Sequence, residues 1–161
     1  MAANKATTTT SARAALPGWY RLVLTTVEPL STLLGSLHVL RSTAGQAQYL
    51  AMFTRGAVVH QAGDTAFLHT QLAGAWLSMA FHGAVTLRAA AADDLRVWRL
   101  YCAAMLLSDA LFAHSTAQAV GGWAIWLRAW EWGAGDWVLF WGSWPFAAVR
   151  VLVLLGFGVR A

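Results

Sequence analysis

Hydrophobic and polar positions along the chain separate into long blocks. Each of four apolar blocks is about 20 residues long, which is the length that an α-helix needs to cross the hydrocarbon core of a bilayer. A soluble helical bundle would need polar outer faces, and the blocks lack them. The pattern therefore predicts an all-α fold, a polytopic membrane bundle of four transmembrane helices, with spans at residues 19–40, 66–87, 97–118 and 137–158.

Composition supports this interpretation, because 58% of the 161 residues are hydrophobic and 11% are charged. The first 18 residues are polar, small and rich in threonine, and they lack the apolar core of a signal peptide. We expect residues 1–18 to be a disordered cytosolic tail and residues 19–161 to be one transmembrane domain. No internal repeat or linker divides that domain.

The net charge of +4 does not indicate nucleic-acid binding, because the basic residues form no cluster. Their distribution predicts topology, since basic residues favour the cytoplasmic ends of membrane helices. More of them fall on the tail side than on the opposite side, so both termini are predicted to be cytoplasmic. The tail side has Lys5, Arg13, Arg21, Arg88, Arg96, Arg99 and Arg160; the opposite side has Arg41, Arg55 and Arg128.

The segments between the spans receive structural interpretations. Residues 41–65 are predicted to be the longest loop, with a short apolar run at 49–53 lying in the membrane interface. Asp93 and Asp94 suit the N-terminus of the third helix through its dipole. The tryptophans of residues 123–137 are typical of an aromatic belt at the headgroup layer, and a substrate-gripping cage is the alternative.

Three charged residues fall inside the apolar blocks. A rise of about 1.5 Å per residue puts Glu28 about 13 Å, Asp109 about 18 Å and Arg150 about 12 Å from the cytosolic end. Such residues usually face the bundle interior with a partner. Two hypotheses follow: a buried ion pair between Glu28 and Arg150 that fixes helix register, or a catalytic pair in which one carboxyl donates a proton and the other accepts it.

Each of the three charges shares its helix face with small or polar residues, at 100° per residue, and the second apolar block has a similar face without one of these charges. These four stripes predict either a polar-lined cavity, with Gln71 and His82 supporting the charges, or close packing through small residues. Pro29 cannot donate a backbone hydrogen bond to Thr25 and is expected to kink the first helix. The stripes are Thr25, Glu28, Ser31, Thr32 and Gly35; Gln71, Gly74, Ala75, Ser78 and His82; Cys102, Asp109, Ala113 and Thr116; and Ser143, Phe146, Ala147 and Arg150.

Metal and nucleotide chemistry lack support in the sequence. The single cysteine allows no disulfide framework, and His38, His69 and His114 lie near the far interface without a close-spaced ligand motif. Asp109 and His114 are five positions apart, so an ideal helix turns them 140° apart. There is no phosphate-binding loop or GxSxG motif. We therefore expect neither a metal nor a cofactor.

An ordered set of short motifs resembles an uncharacterised family of small fungal four-helix membrane proteins found beside secondary-metabolite genes. More distantly, the four-helix plan with buried acids resembles the emopamil-binding-protein-like sterol isomerases and the membrane terpene cyclases. The motifs are WYR at 19–21, EP at 28–29, TQL at 70–72, VWR at 97–99, SDALFAH at 108–114 and the late intramembrane Arg150.

The resemblance implies an enzyme of the endoplasmic-reticulum membrane. The isomerases and cyclases protonate an alkene or epoxide with an intramembrane acid and shelter the carbocation with aromatic rings. Carried over, this makes Glu28 and Asp109 the acid and base. It also makes six aromatic residues substrate-lining: Trp19, Tyr20, Trp76, Tyr101, Phe112 and Trp144.

The leading hypothesis is therefore a fungal secondary-metabolite enzyme that isomerises or cyclises a lipophilic, terpenoid-like molecule by proton transfer. Its expected partners are the bilayer and that small molecule. The alternative is a non-catalytic lipid-binding or scaffold protein in which the charges only hold the bundle together. A proton-coupled transporter is a third hypothesis, but four short helices would have to oligomerise to give alternating access.

Overall fold

A computed structural model describes residues 11–58, 65–89 and 94–160, and every regular element in these ranges is helical. The prediction of an all-α protein is confirmed for this part of the chain. The α-helices are α1 Ala12–Ala15, α2 Gly18–Leu22, α3 Glu28–Arg41, α4 Thr43–Thr54, α5 Ala66–Phe81, α6 Leu87–Ala89, α7 Leu95–Ala119, α8 Trp123–Trp126 and α9 Ala134–Leu155, with a 3₁₀ turn at Ala129–Glu131.

A π-helical turn, Val23–Val27, joins α2 to α3, so that Gly18–Arg41 is one continuous helix. The amide of Glu28 donates to the carbonyl of Val23, five residues back. Pro29 follows at once and has no N–H to donate to Thr25. The sequence predicted a kink at this position. The structure has a π turn there instead, and its wider backbone accommodates the proline ring within a continuous helix.

A second π turn, His82–Thr86, joins α5 to α6 and packs against the first. The contact needs a residue without a side chain. A Cβ added to Gly83 would lie 2.8 Å from the carbonyl oxygen of Leu24 and 2.8 Å from the ring of Pro29. Gly83 therefore allows the two helices to approach next to Glu28.

The long helices pair as α3 with α5 and α7 with α9, and α4 contacts all four. We call the end of the bundle that holds residues 11–18 and 155–160 the tail end, and the opposite end the far end. The larger hydrophobic core lies at the tail end. Its buried members are Ala12, Leu16, Tyr20, Leu24, Leu87, Trp98, Cys102, Val149 and Val153.

The predicted disordered tail is wrong for its second half. Residues 12–15 form helix α1, and Ala12 and Leu16 are buried in the tail-end core. The amide of Arg160 also donates to the carbonyl of Ala15 at 2.9 Å. Apolar side chains at 12, 15 and 16 supply enough contact to order this segment. Residues 1–10 lie outside the described part of the chain.

The predicted loop at 41–65 is also wrong over most of its described length, because residues 43–54 form α4. The side chain of Ser42 accepts a hydrogen bond from the amide of Gly45 at 3.1 Å and so caps the helix. Arg55 ends it in the left-handed conformation, with φ of 51°. Residues 59–64 lie outside the described ranges.

Only two of the described helices, Gly18–Arg41 and Ala134–Leu155, are long and apolar enough to cross a membrane by length and composition. They correspond to the first and fourth predicted spans. The second and third predicted spans are also helical, at residues 66–89 and 95–119. Asp94 accepts a hydrogen bond from the amide of Arg96 at 2.8 Å and caps α7, the structural role predicted for it; Asp93 lies outside the described residues.

Candidate functional site

The predicted site residues Glu28, Asp109 and Arg150 come together inside the bundle. One terminal nitrogen of Arg150, Nη2, donates to Oε1 of Glu28, and the other, Nη1, donates to Oδ2 of Asp109. The guanidinium is 1% exposed, Glu28 3% and Asp109 14%. We call this cluster the carboxylate–arginine triad.

Three helices supply the triad. Glu28 begins α3 directly after the first π turn, Asp109 lies in the middle of α7, and Arg150 lies near the tail end of α9. The planar guanidinium has donors on two sides, so it can bind two carboxylates at once, which a lysine could not do with the same geometry. Oε2 of Glu28 is buried and has no hydrogen-bond partner among the described residues.

A cavity of about 340 Å³ opens from the triad toward the far end of the bundle. This volume lies in the range of about 300–1,000 Å³ that is usual for small-molecule sites. Glu28, Asp109 and Arg150 all line it, and most of the other lining groups are apolar, aromatic or hydroxyl-bearing. The principal ones are Ser31, Thr32, His38, Tyr49, Met52, Trp76, Ser108, Phe112, Ser143 and Phe146.

A second, smaller cavity of about 250 Å³ lies between α7 and α9. We call it the α7–α9 groove. Asp109 and Ser143 line both cavities, so the carboxylate of Asp109 lies at their junction. The other residues of the groove are Leu106, Ala110, Ala113, Trp144, Ala147 and Val151.

Helix α4 covers the far side of the main cavity. Its Tyr49 and Met52 line the cavity, and the Tyr49 ring packs edge-on against Trp76 with centroids 5.3 Å apart. Burial raises the pKa of the Tyr49 phenol further above its ordinary value, and the phenol keeps its proton. Nε of Arg55, just after α4, donates to the buried carboxylate of Asp136 at 3.1 Å and ties α4 to α9.

Two predicted supporting residues do not belong to the site. Gln71 and His82 are exposed, and His82 contacts the Thr86 hydroxyl at 3.0 Å. The whole predicted stripe on the second span faces outward, because Gly74, Ala75 and Ser78 are exposed too. Large and small apolar residues fill the inner face in its place: Ala73, Trp76 and Ala80, with Gly83 and Leu87 beyond them.

The six predicted aromatic residues divide into those at the cavities and those at the tail end. Trp76 and Phe112 line the main cavity, and Trp144 lines the α7–α9 groove. Trp19 is 51% exposed, and the hydroxyl of Tyr20 donates to the carbonyl of Phe157 at 3.0 Å. These two residues are structural elements of the tail end. Tyr101 lines neither of the two cavities. Its buried hydroxyl lies 3.5 Å from the position that a Cβ on Gly83 would take.

The three histidines without a predicted role lie in three different environments. His38 lines the main cavity, Nδ1 of His69 contacts the carbonyl of Thr65 at 2.9 Å, and His114 accepts from the Trp123 indole at 3.3 Å. The described residues contain no group of three or more histidine, cysteine, aspartate or glutamate side chains arranged to hold a metal ion.

The tryptophan-rich segment at the far end packs largely on itself and on α9. Trp126 is 2% exposed and stacks on Trp132, whose indole donates to the Trp126 carbonyl at 2.7 Å. Trp130 is 81% exposed. None of these rings lines either described cavity.

The sequence did not identify Tyr49, Met52 and Ser108 as cavity residues. Ser108 directly precedes Asp109 in the quoted SDALFAH motif, so its neighbourhood was recognisable. Tyr49 and Met52 were visible as part of an apolar run, and they are three positions apart, which puts them on one face of a helix. Recognising Ser42 as a helix cap would have indicated that face.

The described chain is thus an all-helical protein with two helices long enough to cross a membrane and a buried carboxylate–arginine triad beside a cavity. Residues 13–160 match the family model described as "Domain of unknown function (DUF7704)", and the chain belongs to that family. No curated protein and no solved structure matches it.

Proposed function

We propose that this protein is an integral-membrane enzyme that isomerises or cyclises a lipophilic, terpenoid-like molecule by transferring protons within the bundle. The observation that carries the proposal is the state of Glu28. One of its oxygens accepts from Arg150, the other is buried with no partner among the described residues, and the residue itself lines the main cavity. We assign to that unpartnered oxygen the proton that is exchanged with a substrate.

The charges of the triad suit this role. Arg150 carries one positive charge and faces two carboxyl groups, so the cluster is neutral when one of the two carries a proton. An uncompensated charge out of water is costly. The cluster therefore favours holding one proton, which we assign to Glu28, while Asp109 remains ionised against Arg150.

The reaction that we propose conserves atoms and charge. The Glu28 carboxyl gives its proton to a carbon of a substrate double bond and leaves a carbocation. Loss of a proton from a neighbouring carbon to Asp109 then forms a new double bond. Asp109 releases this proton to water and Glu28 takes a proton from water, which restores the starting state. Trp76 and Phe112 line the same cavity, and their ring faces would stabilise the cation.

We further propose four membrane spans, with both termini in the cytoplasm and the protein in the endoplasmic reticulum. At the tail end, Arg21, Arg88 and Arg99 lie near the ends of three long helices and Arg160 follows α9, as expected for a cytoplasmic side. At the far end, Arg55 pairs with Asp136 and Arg128 with Glu131. Those pairings reduce the excess positive charge there.

A second candidate function has one observation in its favour. The triad joins α3, α7 and α9, so it would fix the register of three helices even without any chemistry. A lipid-binding or scaffold protein of the same pathway would then need the cavity but no proton transfer. The two functions differ in what a neutral isostere of Glu28 would do.

The test uses membranes that contain the full-length protein, incubated with a lipophilic extract of the source organism and followed by mass spectrometry. We expect wild-type membranes to convert at least one component and Glu28→Gln membranes to leave it unchanged. Asp109→Asn should also abolish conversion, whereas Glu131→Gln, at an exposed carboxylate, should have no effect. Full conversion by both Glu28→Gln and Asp109→Asn would exclude the acid–base mechanism, whereas no conversion by wild-type membranes would favour the scaffold.

A further inference from the structure

The α7–α9 groove is a continuation of the site toward the outside of the bundle. Asp109 and Ser143 line it together with the main cavity, whereas Trp144 and Val151, at its outer edge, are 39% and 41% exposed. Leu107 and Leu111, on the same helix as Asp109, are more than 60% exposed. A bundle embedded in a bilayer would thus open this groove to the hydrocarbon region.

Small side chains give the groove its shape. Ala110 and Ala113 lie one turn apart on α7, and Ala147 lies opposite them on α9. With Leu106, Val151 and the Trp144 ring they form an apolar slot next to a carboxylate. Such a slot fits a hydrocarbon chain better than a polar molecule, because no charged residue other than Asp109 lines it.

Asp109 supplies a polar contact at the inner end of the slot. Its Oδ2 accepts from Arg150, and no described side chain donates to Oδ1. An acceptor next to hydrocarbon is strongly favoured to bind a donor. Arg150 already balances the negative charge of this carboxylate, so Oδ1 is better matched by a neutral hydroxyl donor than by a second cation.

From these features, and resting on the proposed function, we infer that the substrate class is a long-chain or prenyl alcohol. Its hydrocarbon chain lies in the α7–α9 groove, and its hydroxyl donates to Oδ1 of Asp109. The double bond that reacts is the one next to the hydroxyl-bearing carbon, at the junction of the groove with the main cavity, which Glu28 also lines. The alcohol enters sideways from the bilayer between α7 and α9.

The test is photolabelling of the full-length protein in phospholipid nanodiscs with a long-chain alcohol that carries a diazirine in its chain, followed by peptide mapping. We expect labels on the α7 and α9 residues of the groove, chiefly around Ala110, Ala113 and Ala147. An excess of unlabelled alcohol should compete, and the methyl ether of the same alcohol should not, because it cannot donate a hydrogen bond.

Adjacent residues of α9 provide matched variants. Ala147→Phe fills the groove and should lower labelling about tenfold, equivalent to about 1.4 kcal/mol of binding free energy. Ala148→Phe adds the same ring at an exposed position that lines neither cavity, and labelling should be unchanged. If Ala147→Phe lowers the melting temperature, Ala113→Leu against the exposed Ala104→Leu makes the same comparison on α7.

Three results would overturn the inference: labelling equal in Ala147→Phe and Ala148→Phe, competition by the ether as strong as by the alcohol, or equal labelling of these peptides by a phospholipid with a diazirine in its acyl chain. The last result would mean that the groove only holds bilayer lipid. Glu28→Gln separates this inference from the proposed function, because it should stop conversion and leave labelling intact. Labelling without any conversion in wild type would reject the proposed function alone.

Discussion

Gly83 and Pro29 touch across the two π turns, so closely that a Cβ on Gly83 would lie 2.8 Å from the proline ring. The contact is adjacent to Glu28 in sequence, and it therefore connects the packing of α5 and α6 to the position of the triad. It also explains why the helix that carries Glu28 can widen at Val23–Val27 and still pack against the second π turn.

Gly83→Ala should destabilise the protein, because the new methyl group would also lie 2.8 Å from the Leu24 carbonyl oxygen and force the helices apart. We expect a loss of about 1–3 kcal/mol, as for other overpacked cores. Thermal unfolding in detergent measures it. Gly74→Ala is the control, since nothing lies within 4 Å of its Cβ position and alanine favours helix. Equal melting temperatures for the two variants would contradict the contact.

Arg150→Met should cost about 3–5 kcal/mol of stability, because it leaves two carboxyl groups buried without their shared cation. Adding Glu28→Gln and Asp109→Asn to the same chain should recover part of this loss, since no uncompensated charge remains. Chemical unfolding in detergent measures the free energy of unfolding of both variants. Arg128→Met, which removes an exposed ion pair, should change stability by less than about 0.5 kcal/mol. No recovery in the triple variant would argue against the triad.

Asp136→Asn should loosen α4 over the main cavity. The Asp136 carboxylate accepts from Nε of Arg55 at 3.1 Å and from the amide of Gly133 at 2.9 Å. The amide side chain can keep the contact to Gly133 but loses the charge that attracts Arg55. Hydrogen exchange of the 43–54 amides should therefore become faster, with the 95–119 amides as the internal control. Unchanged exchange in α4 would mean that its other contacts hold it.

Cysteine labelling distinguishes four spans from two. In a Cys102→Ala background, single cysteines at Val58, Ala89, Ala124 and Arg160 are probed in sealed vesicles with a membrane-impermeant maleimide. Four spans predict that 89 and 160 share one side and that 58 and 124 share the other. If only Gly18–Arg41 and Ala134–Leu155 cross, residue 89 will react on the same side as 58 and 124.

The sequence predicted the helical class, the approximate limits of four long helices and the meeting of Glu28, Asp109 and Arg150. Buried charges are informative because each needs a partner, and only a few residues were available to pair. The prediction from small residues was less successful. Gly74 and Ser78 resemble an inward stripe, but they are exposed, because the bulk of Trp76 faces inward and fills the space between α5 and its neighbours.

Helix α4 and helix α1 were missed for a related reason. Both are short segments whose helical state depends on contacts made by the rest of the bundle, such as the burial of Ala12 and Leu16 or the Tyr49–Trp76 ring contact. Their own sequences do not contain those partners. The cavity could not be delimited without α4, and so Tyr49 and Met52 were not assigned to it.

Solvent deuterium incorporation tests the central claim, that Glu28 exchanges a proton with a substrate carbon. Membranes with the wild-type protein are incubated in D₂O with the lipophilic extract, and products are analysed by mass spectrometry and NMR. We predict carbon-bound deuterium in the product of wild type and none with Glu28→Gln, while Glu131→Gln behaves as wild type. A product without carbon-bound deuterium, or one formed equally by Glu28→Gln, would contradict the account.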